Sequence, residues 1–487
     1  MPKTAWQSDL LLQIDKASDT TLSRQIYREI ARSILGKRLL PGARLPSARQ
    51  LSRDLGVSRN TVEGAFDRLA AEGYVERAVG SGSFVSTNVR VQSVLDGQPT
   101  RVRQRAPRLS PARGRYANAV LAVDSRETGA RCIGDPAIDA FPIASWKRLM
   151  ARQLSRLSAT QLGYADSGGY QPLRDAIADY LARTRQMSVS PDRVIVVAGA
   201  QQALDLTSRL LLDSADRVLF EEPGYLGARA AFLAAGATLC PVEVDDEGIA
   251  ISSLPKKDRA ARLAYVTPAH QFPLGPTLSL ARRLALLEWA RAANAWIVED
   301  DYDGEFRHAG SPLSSLASLD KSGRVLYIGT FSKIMFPALR LGFFVVPENL
   351  LTRALPIKRY MDRFTPLLEQ ATLAAFMREG YFARHIAKMR GLYAERRRDL
   401  LLAIQKHAQD LVDVVAPETG VHVIVRLRAR IPDAIAASAV QTCGLAAMPL
   451  SSYYLKRGRT RGLIVSFANL HDADAVVSRA AEALRRL

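Results

Sequence analysis

The first apolar pattern of the chain has helical spacing and lies between residues 22 and 36. Its apolar positions recur every four residues, at Leu22, Ile26, Ile30 and Ile34. This spacing places the side chains along one face of a helix, which Gly36 ends. After a Pro41-Gly42 turn, the same reasoning predicts two further helices, each with a serine as its N-cap. They run over Ala48–Leu55, after Ser47, and from Arg59 to about Glu72, after Ser58.

Two short segments with strand character follow the third helix. Tyr74–Arg77 and Ser83–Val85 flank a Gly80-Ser81-Gly82 turn, which predicts a hairpin. Two short helices joined by Gly56-Val57 are typical of a helix-turn-helix, and the hairpin would be its wing. We therefore interpret residues 20–86 as a winged-helix DNA-binding domain. The spacing alone is also compatible with a small helical packing module.

From about residue 126 the pattern changes to short apolar runs that alternate with helical segments. This alternation predicts an α/β domain over residues 126–487, with a parallel sheet covered by helices on both faces. Ligands bind at the carboxyl ends of the strands in such sheets, and polar clusters follow several of these runs. The predicted strands are Val194–Val197, Arg217–Glu221, Leu263–Val266, Trp296–Glu299, Arg324–Ile328 and Leu341–Val346.

Length and charge narrow the classes of function. The chain has 487 residues, more than one ordinary domain needs. Its formal net charge of +19 and its pI near 10.1 favour a polyanionic partner, either nucleic acid or an anionic membrane. No apolar run approaches the roughly 18–20 residues that a membrane span requires, so no membrane partner is expected.

The cysteines and the N-terminus bear on the compartment. Cys132, Cys240 and Cys443 lie far apart, without the spacing of a disulfide framework or of metal ligands. We therefore expect no metal site and a reducing, cytoplasmic location, associated with the nucleoid if the chain binds DNA. Residues 1–15 lack the apolar core of a signal peptide.

Residues 87–125 separate the two predicted domains. The segment carries seven arginines against two aspartates, and Pro99, Pro107 and Pro111 interrupt any periodicity. We interpret it as a flexible basic linker. Its charges either serve for solvation alone or add contacts to the phosphates of bound DNA.

The strongest chemical cluster follows one of the predicted strands. Lys333 lies just beyond an apolar run, with Thr330, Ser332 and Arg340 close to it in sequence. A lysine in such a place forms a Schiff base if desolvation and neighbouring positive charge lower its pKa. The two hydroxyls and the guanidinium group suit a phosphate. The alternative is an ordinary surface lysine.

A second segment suits a phosphate through its backbone. Gly199, Ala200 and Gln201 form a predicted strand-to-helix turn in the stretch "VVAGAQQALDL". The backbone N–H groups at the start of a helix bind anions readily. We therefore expect these three residues to lie with Arg340 around one phosphate group.

The segment from Leu39 to Val85 resembles the GntR family of winged helix-turn-helix repressors. It contains the Pro-Gly turn, the serine-initiated second helix, the Ser-Arg start of the third helix and the glycine-flanked wing in the same order. The resemblance implies that the residues facing DNA are Arg49, Ser58, Arg59, Asn60, Thr61, Gly80 and Ser81.

The side chains at the start of the third helix are chemically suited to DNA. Arg59 and Asn60 can make bidentate contacts to base edges, and the hydroxyls of Ser58 and Thr61 suit phosphates. Glu63 departs from the family pattern, because some members place an arginine there. Its carboxylate would either repel phosphate or accept from a cytosine amino group.

The segment around Lys333, "YIGTFSKIMFPALRLGF", resembles the lysine loop of fold-type-I aminotransferases, which bind pyridoxal 5′-phosphate (PLP). The resemblance implies that Lys333 is the catalytic residue and forms an internal aldimine with PLP. It also implies that Asp300 pairs with the ring nitrogen, so that the ring acts as an electron sink, with Asp301 as the alternative. Tyr302 would bond the phenolic oxygen of the ring.

Two further tyrosines fit the same resemblance. Tyr225 corresponds to the aromatic residue that stacks on the ring, and Tyr164 to a tyrosine that reaches the phosphate of a neighbouring subunit. Shared sites of this kind require a dimer. Taken singly, either tyrosine would be an ordinary core residue.

A GntR-like domain followed by an aminotransferase-like body resembles the MocR/GabR subfamily of bacterial regulators. The resemblance implies fold-type-I large and small domains, a homodimer of head-to-tail type, and promoter DNA as partner. A small amine, an amino acid or PLP itself would be sensed at Lys333. The alternative is an active PLP-dependent aminotransferase with an appended DNA-binding domain.

Two departures from the aminotransferase pattern bear on that alternative. The enzymes commonly have an asparagine that bonds the phenolic oxygen of PLP, whereas "TPAHQFPLG" lacks it unless His270 or Gln271 replaces it. The enzymes also bind the substrate α-carboxylate through an arginine, and Ile464 occupies the position we align with it, with Arg459 and Arg461 upstream. An amine, an amino acid with a distal acid group, or PLP is therefore favoured as effector.

Overall fold

The structure is a computed structural model. It describes residues 12, 14–78, 81–87, 114, 133–307, 314–456 and 460–487, and the chain divides into two compact units, residues 1–108 and 109–487. Gly80 and nearly all of the predicted linker lie outside the described residues. None of the described helices combines the length and the apolar character of a membrane span.

The described residues of the first unit form three helices and a hairpin. Helices α1, α2 and α3 pack around Ile30, Phe66 and Leu69, which are buried, and the two strands pair antiparallel. The predicted serine caps are confirmed, because Ser47 accepts from the Gln50 backbone N–H and Ser58 from that of Thr61. The elements are α1 (Leu22–Leu35), α2 (Ala48–Leu55), α3 (Arg59–Ala71), β1 (Val75–Ala78) and β2 (Gly82–Val85).

The second unit is built on a large mixed sheet with the order β3-β10-β9-β8-β7-β4-β5-β6. Strands β9, β8, β7, β4 and β5 are parallel to their neighbours in this series. Their carboxyl ends therefore meet at one edge of the sheet. The strands are β3 (Val194–Val197), β4 (Arg217–Glu222), β5 (Thr238–Asp245), β6 (Gly248–Ile249), β7 (Leu263–Val266), β8 (Trp296–Asp301), β9 (Val325–Thr330) and β10 (Gly342–Val345).

Helices cover both faces of the large sheet, and a smaller sheet follows it in the chain. Successive side chains of β3 enter different apolar clusters, with Val194 and Val196 on one face and Ile195 and Val197 on the other. The helices are Ile143–Arg156, Gln171–Arg185, Ala200–Leu211, Leu226–Ala234, Leu280–Ala292, Leu316–Leu319, Glu348–Asp362, Leu367–Arg378, Tyr381–His407, Asp433–Thr442 and Ala473–Arg485.

The smaller sheet is antiparallel throughout, with the order β11-β12-β14-β13. Its strands are β11 (Val412–Val415), β12 (His422–Leu427), β13 (Ala447–Pro449) and β14 (Leu463–Ser466). The sheet packs with the Tyr381–His407 and Ala473–Arg485 helices around a shared apolar cluster. The body therefore has the large and small domains that the aminotransferase resemblance implies.

The six strands predicted in the body are present, but the expectation of a purely parallel sheet is wrong. Strand β10 lies between β3 and β9 and is antiparallel to both. A central strand buried on both faces has the same continuous apolar pattern in either direction, so its sequence does not report its orientation.

Candidate functional site

The predicted polar clusters meet where the parallel strands β8 and β9 end. Asp300 and Asp301 close β8, and Thr330 closes β9 immediately before the loop that carries Lys333. The Lys333 side chain packs against Gly134, where even a methyl group would overlap its amino group. Gly134 was not predicted from the sequence, because nothing local distinguishes a glycine some 200 residues away from its partner.

Asp300 and Asp301 face opposite sides of the sheet and have different partners. Asp300 is 3% exposed; its Oδ2 accepts from the Tyr265 hydroxyl at 2.7 Å. Its Oδ1 is buried with no hydrogen-bond partner among the described residues. Burial raises the pKa of Asp300 to about 7. Asp301 instead forms a buried ion pair with Arg185, so the unsatisfied carboxylate oxygen belongs to Asp300.

A cradle for an anion lies at the start of the Ala200–Leu211 helix. Gly199 caps this helix with a φ of +89°, a conformation that favours glycine. The Arg340 guanidinium donates from Nη2 to the Ala198 carbonyl at 2.7 Å and fills the space beside the Gly199 Cα, where a side chain would contact it. Positive charge and free helix N–H groups therefore lie together.

Two of the other residues predicted to contact the phosphate form hydrogen bonds between their side chains and the backbone. Gln201 lies in the first turn of the helix and donates from Nε2 to the Gly227 carbonyl at 3.1 Å. The Thr330 hydroxyl accepts from the Ser332 backbone N–H at 3.2 Å, which shapes the loop leading to Lys333. Ser332 itself is half-buried.

Three aromatic rings form a group beside this edge of the sheet. Phe272 lies edge-on to Tyr225, at 6.0 Å between ring centroids, and to Tyr302, at 5.7 Å. Tyr225 precedes the Leu226–Ala234 helix as its N-cap residue. The structure thus brings together two of the tyrosines predicted to contact the ring.

His270 and Gln271, the two proposed substitutes for the missing asparagine, have different environments. The Gln271 amide donates from Nε2 to the Pro223 and Phe272 carbonyls and accepts at Oε1 from the Leu274 backbone N–H. These bonds commit Gln271 to holding its own loop and the segment that follows β4. His270 lies next to Tyr302, with 2.8 Å between Nδ1 and the tyrosine hydroxyl oxygen.

Asp303 and His422 also belong to the site, although sequence reasoning missed both. Asp303 Oδ2 lies 2.9 Å from His270 Nδ1, and the His422 ring stacks on His270 with 5.0 Å between centroids. A histidine in the apolar run "VHVIVRL" was the available signal, because a buried polar residue in a strand needs a partner.

Ile464, aligned with the carboxylate-binding arginine of the enzymes, belongs to an apolar wall. It is 0% exposed and clusters with Ile133, Ile424, Leu450 and Tyr453. Phe272 packs against the same cluster, and Ile133 directly precedes Gly134. Within the described part of the chain this cluster contains no cationic side chain. Arg459 lies outside the described residues.

Tyr164 is on the surface of the body. Its side chain is 90% exposed, and its ring contacts Phe364 edge-on at 6.2 Å. No hydrogen bond or ring contact within the described residues joins it to the other predicted cofactor residues. The structure therefore does not bring Tyr164 into the site of its own chain.

The predicted DNA-facing residues lie on the surface of the first unit. Most are exposed and Thr61 is half-buried, while Gly80 is outside the described residues. The Ser58 hydroxyl caps α3 and lies 2.7 Å from the Thr61 hydroxyl. The exposed members are Arg49, Ser58, Arg59, Asn60 and Ser81.

Glu63, the departure from the GntR pattern, is held by two arginines. Its carboxylate lies 3.1 Å from Arg77 Nη2 and 3.6 Å from Arg59 Nε. Arg77, on the first wing strand, also pairs with Asp67 at 2.8 Å. The carboxylate thus links α3 to the wing, a role that neither of the two sequence alternatives included.

Two family profiles match the chain, each over one of these units. Residues 22–85 match the bacterial regulatory proteins of the gntR family, and residues 132–484 match aminotransferase class I and II. The chain is 38% identical to the probable rhizopine catabolism regulatory protein MocR of Rhizobium meliloti, over 94% of this chain and 92% of MocR. It is 30% identical to the HTH-type pyridoxine biosynthesis transcriptional regulator PdxR of Corynebacterium glutamicum, over 96% of each.

The body alone resembles solved aminotransferases. The α-aminoadipate aminotransferase LysN of Thermus thermophilus, complexed with N-(5′-phosphopyridoxyl)-L-leucine, superposes with a TM-score of 0.70 at 27% identity, over 78% of this chain and 99% of LysN. Fold and site thus define a helix-turn-helix transcriptional regulator whose body has the fold of PLP-dependent aminotransferases. The chain belongs to the GntR family, in the MocR subfamily that combines these two domains.

Proposed function

We propose that this regulator binds promoter DNA through its winged helix and holds PLP through Lys333, where a small amine is sensed. The observation that supports it most is the meeting of Lys333, the unsatisfied buried Oδ1 of Asp300 and the Arg340 cradle at one edge of the sheet. An orphaned buried carboxylate oxygen costs free energy unless a ligand satisfies it.

The residues present fit PLP. Asp300 Oδ1 would accept from the protonated ring nitrogen, Tyr225 would stack on the ring, and Tyr302 would donate to its phenolic oxygen. When bound, PLP would supply an electrophilic carbon that reacts with primary amines.

The phosphate end of the site consists of donors of two kinds. The N–H groups of Gly199, Ala200 and Gln201 and the Arg340 guanidinium bind the phosphate oxygens, with the Thr330 and Ser332 hydroxyls completing the set. In a head-to-tail homodimer the exposed Tyr164 reaches the phosphate held by the neighbouring chain.

The DNA-binding residues divide into base readers and phosphate contacts. Arg59 and Asn60 lead α3 into the major groove, while Arg49, Ser58 and Thr61 bind phosphates. Gly80 and Ser81 form the tip of the wing. Glu63 does not repel the phosphate backbone of DNA, because Arg77 and Arg59 compensate the charge of its carboxylate.

The apolar wall around Ile464 favours an effector without a carboxylate beside its amino group. An α-amino acid would place its carboxylate against this wall unpaired, which is costly. An amine, an amino acid with a distal acid group, or PLP itself avoids that cost. The intact pair of Lys333 and Asp300 leaves slow transamination as a second activity of the same site.

DNA binding measured by fluorescence anisotropy at fixed salt tests this function. The DNA is the intergenic fragment next to the gene for this chain, and the protein is loaded with PLP. We expect specific binding whose affinity changes when an amine is added, because an effector shifts an equilibrium only through different affinities for the two states. Lys333→Ala should bind the fragment without responding to the amine, whereas the exposed Lys321→Ala should respond like the wild type.

Two results would contradict the proposal. One is DNA affinity that ignores both PLP and amines across a broad screen. The other is turnover of an amino acid and a keto acid at ordinary enzymatic rates, above roughly 1 per second, with no effect on DNA binding.

A further inference from the structure

His270 lies in a polar network that includes Tyr302. The imidazole is 1% exposed, and its Nδ1 lies 2.9 Å from Asp303 Oδ2 and 2.8 Å from the Tyr302 hydroxyl oxygen. A carboxylate only accepts hydrogen bonds, so Nδ1 carries the hydrogen and donates it to Asp303. The Tyr302 oxygen shares this hydrogen as a second acceptor. The hydrogen of the Tyr302 hydroxyl is then left for donation on its other side.

The ring of His422 stacks on the ring of His270. The two rings stack at 5.0 Å with an angle of 30° between their planes, and His422 donates from Nε2 to the Pro273 carbonyl at 2.9 Å. Burial, the neighbouring His270 and the charge of Lys333 lower the pKa of His422 to about 3. His422 is therefore neutral at physiological pH and does not replace Asp303 as the partner of His270.

Gly420 gives the His270 ring its space, and a second glycine, Gly275, lies close to the ring. Gly420 has a φ of +84°, and a side chain there would overlap both the His270 ring and the Asp303 carboxylate. Gly275 has a φ of +94° and lies beside His270 Nε2. That nitrogen is buried without a hydrogen-bond partner among the described residues. The hydrogen bonds at Nδ1 are therefore the ones that orient the ring.

We propose that His270 and Asp303 are positioning residues that act through Tyr302, turning its hydroxyl hydrogen toward the phenolic oxygen of PLP. The inference rests on the proposed function. His270 does not bond the PLP ring directly through Nδ1, since the hydrogen on Nδ1 is already shared between Asp303 and Tyr302. His270 therefore does not bond the phenolic oxygen in place of the asparagine of the enzymes, but orients the Tyr302 hydroxyl that does.

The pH dependence of the visible absorption band of the PLP-loaded protein measures this hydrogen bond. Donation to the phenolic oxygen weakens that oxygen as an acceptor for the proton at the Lys333 nitrogen, so losing the bond raises the titration midpoint. The variants compared leave the charged and titratable groups around the Tyr302–His270 pair unchanged, except that Asp303→Asn replaces one of them. These groups are Asp303, Asp300, Glu221, Asp301, His422 and Lys333.

Four variants separate a positioning role from a merely structural one. We expect Tyr302→Phe and His270→Phe each to raise the midpoint by about one pH unit, the size of one hydrogen bond. The double variant should show no further rise. His270→Asn, whose amide can donate from near the position of Nδ1, should restore most of the wild-type midpoint. If His270→Phe does not fold, Asp303→Asn should raise the midpoint in the same direction.

The outcomes distinguish this inference from the proposed function. A wild-type band that titrates normally, with a midpoint unchanged by either His270→Phe or Asp303→Asn, overturns the inference alone. So does a double variant in which the two single shifts add, because the residues then act independently. A wild-type protein with no band after incubation with PLP refutes the proposed function and this inference together.

Discussion

Asp300→Asn should stabilise the cofactor-free protein at alkaline pH while removing its response to PLP. The Asp300 carboxyl is 3% exposed, and burial raises its pKa from 3.8 to about 7. Each pKa unit corresponds to about 1.4 kcal/mol, so the charged carboxylate destabilises the empty fold by on the order of 4 kcal/mol above pH 7. Asparagine removes this charge and still accepts from the Tyr265 hydroxyl.

The sign of the pH dependence follows from the raised pKa. Below pH 3.8 the carboxyl is protonated in both folded and unfolded protein, and the penalty is absent. Between about pH 4 and pH 7 the unfolded chain releases this proton more readily, so the wild type loses stability as the pH rises. The advantage of Asp300→Asn should therefore be small near pH 4 and reach its full size near pH 8.

Thermal unfolding of the cofactor-free body, followed by calorimetry between pH 4 and pH 8, measures the difference. We expect the variant to melt several degrees higher at pH 8. Adding PLP should reverse the order, because the ring nitrogen pairs with Asp300 but not with asparagine. An advantage that does not change with pH, or a PLP-dependent gain that is equal in both proteins, would refute this reasoning.

Substitutions at four other positions have expected outcomes. Asp301→Asn should destabilise the body by about 1–3 kcal/mol in the same melting experiment, because it removes one of the two carboxylates, Asp301 and Glu305, that pair with the buried Arg185. A stabilised variant would contradict the assignment of roles at the end of β8. Arg59→Ala should cost about 1–3 kcal/mol of specific DNA binding. Arg49→Ala should instead lower the magnitude of the slope of log affinity against log salt by about 0.9, without changing base preference. Anisotropy on matched and scrambled fragments separates the two effects, and altered base preference in Arg49→Ala would contradict its assignment to a phosphate. In titrations of the visible band, Ile464→Arg should raise the ratio of the affinity for phenylalanine to that for phenethylamine about tenfold over the wild type. Ile464→Met, the matched control, should leave this ratio near that of the wild type. An unchanged ratio in Ile464→Arg would show that the apolar wall does not contact the effector.

The winged helix could be predicted closely because its signals are local. The bounds of α2 agree with the prediction, and Ser47 and Ser58 cap their helices as expected. Helical spacing, a capping hydroxyl and a terminating glycine all lie within a few residues of one another. The ion pairs of Glu63 with the wing depended on a hairpin contact and were not predicted.

The body could be predicted only in part because its remaining features depend on distant contacts. The strands that form the core of the large sheet had readable apolar runs, but the orientation of β10 had no local signal. The strands of the smaller sheet, although some are apolar runs such as "VHVIVRL", were not predicted. Gly134 and His422 reach the site from segments about 200 and 90 residues away from Lys333. To distinguish Asp300 from Asp301 as the partner of the ring nitrogen, the contacts of each carboxylate in the folded structure had to be known.

The visible absorption spectrum of the purified protein, beside its Lys333→Ala variant, tests the central claim most directly. The matched control is the exposed Lys321→Ala, and the buried Lys358 is already paired with Asp362. We predict a yellow band in the wild type and in the control, absent in Lys333→Ala. A colourless wild-type protein after incubation with PLP, or a band that survives in Lys333→Ala, would contradict a cofactor site built on Lys333.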